Sequence, residues 1–206
     1  MSQGGAWTHN LYPGRLGNRS DPRQTPWLKP HSTQIARSSG IDAGDDQFYN
    51  NLFVGAGKDE SLVVENTNPV RAYYFSYGLR CYEQRPRLPE AAGNVYHYGA
   101  EPCKNETEKT MCADDMNITI VEDGENVYLE LTLAPEDVQA GTRLVDTELL
   151  GKAEVTQQTF TQPDGSDLRI DTDYFRQPRD AGNPMPGPFV IRRPGRQHLQ
   201  VWPTKS

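Results

Sequence analysis

Short apolar runs bounded by Gly, Asn, Asp and Pro recur along the whole chain, and helical periodicity is nearly absent. That is the signature of strands separated by turns. Three runs look alike: His9-Asn10-Leu11-Tyr12-Pro13-Gly14, Asn50-Asn51-Leu52-Phe53-Val54-Gly55 and Gly93-Asn94-Val95-Tyr96-His97-Tyr98-Gly99. Each reads asparagine, aliphatic, aromatic, then glycine after a short gap. The asparagines at 10, 51 and 94 lie 41 and 43 residues apart. A period in this range points to solenoids and propellers. Asparagine tolerates the left-handed backbone of a sharp corner, and asparagines stacked at one corner form a side-chain ladder. The following aliphatic residue is then expected to point inward. Three ordinary strands, each following an asparagine turn, give the same spacing, so the pattern alone leaves both open.

Other segments fill the intervals. Ser32-Thr33-Gln34-Ile35-Ala36 and Ser61-Leu62-Val63-Val64-Glu65 read as strands, and residues 70–88 as a long aromatic and basic excursion. Alternation at Val127, Leu129, Leu131 and Leu133, after Asp123-Gly124-Glu125-Asn126, predicts an antiparallel hairpin with residues 118–122. It is expected to cover the open end of a solenoid that stops before about residue 105. Pro135-Glu136-Asp137-Val138 and Thr147-Glu148-Leu149-Leu150 are the best helix candidates. The expected organisation is 1–104 coils with long loops, 105–175 a hairpin and capping region, and 176–206 an extended or disordered tail.

Composition narrows the function. Hydrophobic residues make up 35% of the 206, and 18 Gly with 16 Pro fit a loop-rich chain. Ten Tyr and three Trp argue for order. A net charge of −7 disfavours nucleic acid and anionic membranes, and Arg192-Arg193 with Arg196 read as a solvated cluster. No run reaches the ~20 apolar residues of a membrane span, and the N-terminus does not resemble a signal peptide. A cytoplasmic location is therefore expected, with Cys81, Cys103 and Cys112 as free thiols. The sequons at Asn18, Asn105 and Asn117 then carry no glycan.

Further strings recur in a fixed order. They are Ser2-Gln3-Gly4-Gly5-Ala6-Trp7-Thr8-His9-Asn10-Leu11, Pro30-His31-Ser32-Thr33-Gln34-Ile35-Ala36, Gly44-Asp45-Asp46-Gln47-Phe48-Tyr49-Asn50-Asn51-Leu52-Phe53-Val54, Leu88-Pro89, Gly99-Ala100-Glu101-Pro102, Glu148-Leu149-Leu150-Gly151-Lys152-Ala153, Pro163-Asp164-Gly165-Ser166 and Asp171-Thr172-Asp173-Tyr174-Phe175. In this order, over residues 2–189, they resemble the C-terminal third of glycoside hydrolase family 120, the parallel β-helix β-xylosidases. The fold implied is mainly β: the terminal coils of a right-handed parallel β-helix, then a small antiparallel β element and an extended tail. The resemblance also implies retaining hydrolysis by an aspartate nucleophile and a glutamate acid/base on neighbouring coils. The ≈ 5–5.5 Å between such carboxyls is close to the ~4.8 Å strand spacing. In the family those coils precede the Ser-Gln-Gly-Gly-Ala string, which begins here at Ser2. The expectation is a glycosidase fragment with no catalytic residue of its own, inactive unless an upstream β-helix half joins it.

Candidate contacts with a xylo-oligosaccharide are His31, Asp45 and Asp46. Asp45-Asp46 reads either as sugar or cation ligands, or as a polar turn capping backbone amides. Neighbouring strand residues face opposite ways, so the two do not form an acid/base pair. His31 reads as a groove donor or as an exposed loop residue, and Trp7 and Trp27 as sugar platforms or packing. His9, His97 and His198 lack metal-ligand spacing, and Cys103 with Cys112 lacks two further zinc ligands. No metal or cofactor is expected. Glu90 has no partner carboxylate one coil away. Two other functions fit: a non-catalytic carbohydrate-binding or assembly module, self-associating through its open N-terminal coil, and a β-helix polysaccharide lyase using Asp42, Asp45 and Asp46 with Arg37 or Lys58.

Overall fold

A computed structural model describes residues 3–57, 63–65 and 73–204. Lys58, Ser61, Leu62 and residues 70–72 of the aromatic excursion lie outside the described residues. The strands are β1 (Ala6–Thr8), β2 (Leu11–Tyr12), β3 (Arg15–Arg19), β4 (Asp21–Leu28), β5 (Ile35–Ile41), β6 (Gln47–Tyr49), β7 (Leu52–Val54), β8 (Val63–Glu65), β9 (Tyr73–Tyr77), β10 (Glu90–Ala92), β11 (Asn94–His97), β12 (Lys109–Cys112), β13 (Thr119–Asp123), β14 (Asn126–Leu133) and β15 (Gly195–Trp202). Two short helices, α1 (Pro135–Gln139) and α2 (Thr147–Leu150), follow β14.

The three look-alike segments stack. β1, β6 and β10 pair in parallel in one sheet, ordered β1-β6-β10, and β2, β7, β11 and β12 pair in parallel in a second, ordered β12-β11-β7-β2. Each strand of the first sheet turns a corner into a strand of the second, so the repeating unit is strand, corner, strand. The left-handed residue at each corner is the one before the repeating asparagine: His9 (φ 54°), Asn50 (φ 56°) and Gly93 (φ 69°). Gly93 is required twice over, since a Cβ there would also sit 2.3 Å from Asn50 Oδ1.

The asparagines themselves form the ladder. Asn51 Oδ1 accepts from the Asn10 amide (2.9 Å) and Asn10 Nδ2 (3.1 Å). Asn94 Oδ1 accepts from the Asn51 amide and Asn51 Nδ2, both at 2.9 Å. The remaining protons go to main-chain carbonyls of the first sheet, from Asn51 Nδ2 to Trp7 O and from Asn94 Nδ2 to Phe48 O. In the next unit Glu106 takes the ladder position. It is fully buried, and its two oxygens accept from Asn94 Nδ2 (2.8 Å) and Tyr96 Oη (2.5 Å).

The aromatic residue after each asparagine points into the space between the sheets, contrary to the expectation for the aliphatic one. Tyr12, Phe53 and Tyr96 stack at 5.0 Å steps, and Phe53 meets Phe48 of the first sheet across the corner. Strand alternation explains this. Asn51 turns inward to make the ladder, so Leu52 turns outward and Phe53 inward. Leu79, Cys81, Tyr82 and Cys103 complete this interior. All three cysteines are free and buried.

The outward Leu52, Val54 and Val95 are covered by Leu129, Leu131 and Leu133 of β14. The hairpin β13–β14 forms as expected, closing at Asp123↔Asn126, but it lies on the flank of the second parallel sheet rather than over its end. The parallel sheet also runs past residue 105, because β12 adds to β11. Part of the chain expected as a loose tail is the third strand of the antiparallel sheet, where β15 pairs with β14. Leu199 and Val201 pack against the same leucine face, and Phe189 joins its core. α1 is fixed by a buried pair: Asp137 accepts from His97 Nε2 (2.6 Å) through Oδ1 and from the Ala134 amide (2.7 Å) through Oδ2.

Two antiparallel elements form the remaining sides. One has the order β3-β9-β8 and the other is the β4–β5 hairpin.

Candidate functional site

Asp45 and Asp46 sit where β6 begins, and they face opposite ways. Asp45, in the left-handed region (φ 58°), accepts from the amides of Glu154 and Val155, the latter at 2.8 Å. It thereby holds the turn after α2 against the stack. Arg87 braces the same turn by pairing with Glu154 and with Asp42. Beside this anchor is a cleft of about 230 Å³ between Gly4, the tip of the β4–β5 hairpin and the strand-like segment 156–161. His31 forms one wall, with its Nε2 2.9 Å from Thr161 Oγ1. Thr156, Gln158 and Thr159 add hydroxyl and amide groups, and Gln158 Nε2 donates to Leu28 O (2.8 Å), tying the hairpin tip to the opposite wall. Neutral donors and acceptors around one small cleft suit a polyhydroxyl ligand. Asp45 supports this cleft from behind.

Asp46 points the other way, into a cavity of about 340 Å³ at the end of the stack where β1, β2 and β3 are the outermost strands. Trp7, Tyr12 and Leu16 come from those three strands, while Phe48 and Tyr82 lie deeper. Asp46 accepts from the Gly5 amide and from Tyr82 Oη, both at 3.0 Å. Burial raises its carboxyl pKa to about 6, Asp45 beside it adds to the rise, and the two hydrogen bonds oppose it. The Tyr82 hydroxyl is held well above its ordinary value, chiefly by burial.

A pH effect follows. Asp46 binds its proton more tightly folded (about 6) than an ordinary aspartate does (3.8), so between these values the folded chain carries more protons. Its contribution to stability is full below about pH 3.8 and is lost as pH rises through about 6. Two units correspond to about 3 kcal/mol as an upper scale. Asp46→Asn should therefore be the more stable protein at pH 7. Its advantage should shrink toward pH 4, read as the difference in urea midpoints.

Asp42, Asp45 and Asp46 do not converge, because Arg87, the 154–155 amides and Tyr82 take them in three directions. Among the described residues no group of three His, Cys, Asp or Glu side chains is arranged to hold a metal ion. His9, His97 and His198 are likewise separate. His9 is buried, with its pKa lowered to about 3 by desolvation and by nearby Arg179, His97 serves α1, and His198 stacks on Tyr128 in the outer sheet. Trp7 packs parallel to Phe48, their centroids 6.4 Å apart, with 41% of its surface exposed. Trp27 lies in the β4–β5 hairpin opposite Arg37. The walls contributed by Thr156 to Thr161 escaped the sequence reading. Only the turn-rich composition around Pro163-Asp164-Gly165 hinted at them.

The architecture defines a mainly β protein of stacked parallel strands flanked by antiparallel sheets. No protein-family model matches the chain, and no curated protein matches it. Among solved structures it is similar to XylC in complex with xylose, with a TM-score of 0.84 and 27% identity. The match covers 98% of this chain and 33% of XylC, so the chain spans about a third of that protein's length. The two share a fold over this region.

Proposed function

We propose that the chain is the terminal-coil portion of a right-handed parallel β-helix glycoside hydrolase of the β-xylosidase type, which removes terminal β-xylosyl residues from xylo-oligosaccharides. The observation that carries this reading is the match of nearly the whole chain to part of XylC, a protein solved with xylose. The chain contributes sugar contacts: His31 and the Thr156–Thr161 side donate and accept at one pyranose, and Asp45 fixes that wall. The two aspartates cannot supply retaining chemistry. That chemistry needs two carboxyls facing one glycosidic bond, and these are turned apart and already hydrogen-bonded.

Titration with xylobiose, followed by calorimetry or amide NMR shifts, tests the cleft. Saturable binding is expected, with shifts at Gly4, His31 and Thr159. His31→Ala should weaken it about tenfold, the scale of one hydrogen bond to a charged or strongly polar partner. Shifts absent from this cleft would remove the assignment.

A further inference from the structure

One wall of the His31 cleft is an element that the rest of the chain holds lightly. The β4–β5 hairpin is a two-stranded sheet of its own. From Asp21 to Gly40 no residue is buried, whereas Ile41, the next one, is. Leu28 and Ile35 pair across the ribbon near its tip and stay 45% and 62% exposed. Among the described residues none of the apolar clusters includes a side chain from this stretch. An isolated two-stranded hairpin is marginal in water, and segments with few buried apolar contacts open first.

Among the described residues, the ribbon's bonds to the rest of the chain lie at its two ends. At the root, Gln3 Nε2 donates to Gly40 O (3.2 Å) and Gln3 Oε1 accepts from the Asp42 amide (2.9 Å). At the tip, Gln158 Nε2 donates to Leu28 O (2.8 Å) and His31 Nε2 meets Thr161 Oγ1 (2.9 Å). Both tip bonds join the hairpin to the segment 156–161, the opposite wall of the cleft.

We infer that β4–β5 is a hinged arm, whose tip swings away to admit the sugar and returns to close over it, with Gln158 as its latch. This role depends on the cleft being the sugar site, as proposed above. Gln158 is a positioning residue: its bond to Leu28 O holds the tip against the far wall without using the imidazole. His31 can then exchange Thr161 for a sugar hydroxyl while the arm stays closed. A sugar that bridges the two walls adds bonds only in the closed state, so it shifts the arm toward closure.

Amide hydrogen exchange on the whole chain, with and without saturating xylobiose, tests the arm. Without sugar, the amides of 21–41 should exchange on the order of a hundredfold faster than those of β7 and β11. Lys29 reports the tip directly, since its N–H bonds Gln34 O across the ribbon. Gln158→Ala should speed exchange in 21–41 about fivefold further, the scale of one hydrogen bond, at an unchanged urea midpoint. Gln158→Glu keeps the volume but has no proton to give, so it should match Ala. Gln158→Lys keeps a donor and should recover part of the protection. Xylobiose should slow the same amides. Ribbon amides as protected as the parallel strands, or unmoved by both Ala and Glu, overturn the arm. If xylobiose shifts Thr159 but leaves ribbon exchange unchanged, the arm falls and the sugar reading stands. If xylobiose binds nowhere while Gln158→Ala still loosens the ribbon, the latch stands and the sugar reading falls.

Discussion

Replacing Asn94 by leucine should destabilise the chain by about 4 kcal/mol or more, lowering the urea midpoint enough to leave it partly unfolded without denaturant. Asn94 is fully buried and serves four bonds: two received from Asn51, one given to Phe48 O and one given to Glu106. Leucine approximates its volume but removes the acceptor of the Asn51 main-chain amide and the donor to the Phe48 carbonyl and to Glu106 Oε1, leaving Glu106 only its bond from Tyr96. Each orphaned buried group costs about 1–3 kcal/mol, against a total stability on the order of 5–15 kcal/mol. Asn10 supplies the internal comparison. Its side chain gives a single bond to Asn51 Oδ1 at the open end of the ladder, so Asn10→Ala should cost only about 1 kcal/mol. Equal losses at the two positions would show that the ladder does not act as a chain of shared bonds.

Asp137→Ala should cost about 3–5 kcal/mol, the scale of breaking a buried pair by removing one partner. Both groups are sealed from solvent, with side-chain exposures of 1% for His97 and 0% for Asp137. Alanine strands His97 Nε2 and the Ala134 amide together. The loss should appear first as faster amide exchange in α1 and at the end of β11, because that pair pins one to the other. Asp137→Asn should recover much of the stability, as its amide offers both an acceptor for Ala134 and a donor to a neutral imidazole. If Asn is no better than Ala, the charge rather than the bonding pattern holds the pair.

The spacing of Asn10, Asn51 and Asn94 made the stack legible, because a ladder demands one residue type at one corner. It did not say which way the neighbours point. Once the asparagine turns inward, alternation sends Leu52 out and Phe53 in. The left-handed strain falls on His9, Asn50 and Gly93, one place earlier. The last parallel strand was invisible because Glu106 stands where the repeat wants asparagine, and the period disappears with it. The Leu129, Leu131 and Leu133 alternation gave the hairpin, since local pairing across a short turn is written in local sequence. β15 was obscured by its Pro, Gly and Arg neighbours, although Leu199 and Val201 carry the same alternation. Its partner residues lie 62 to 75 positions earlier, and no local pattern names them. At the site, adjacency was enough to separate Asp45 from Asp46. Their partners, the 154–155 amides and Tyr82, come from distant segments that only the folded chain brings close.

The most direct measurement is hydrolysis of an aryl β-xyloside by the purified chain alone, followed by release of the phenol. The account predicts no turnover above buffer, because the proposed role is to contribute sugar contacts, and Asp45 and Asp46 are turned apart onto the 154–155 amides and Tyr82. Turnover that disappears on Asp45→Asn or Asp46→Asn would contradict it, and would place the catalytic chemistry within this chain.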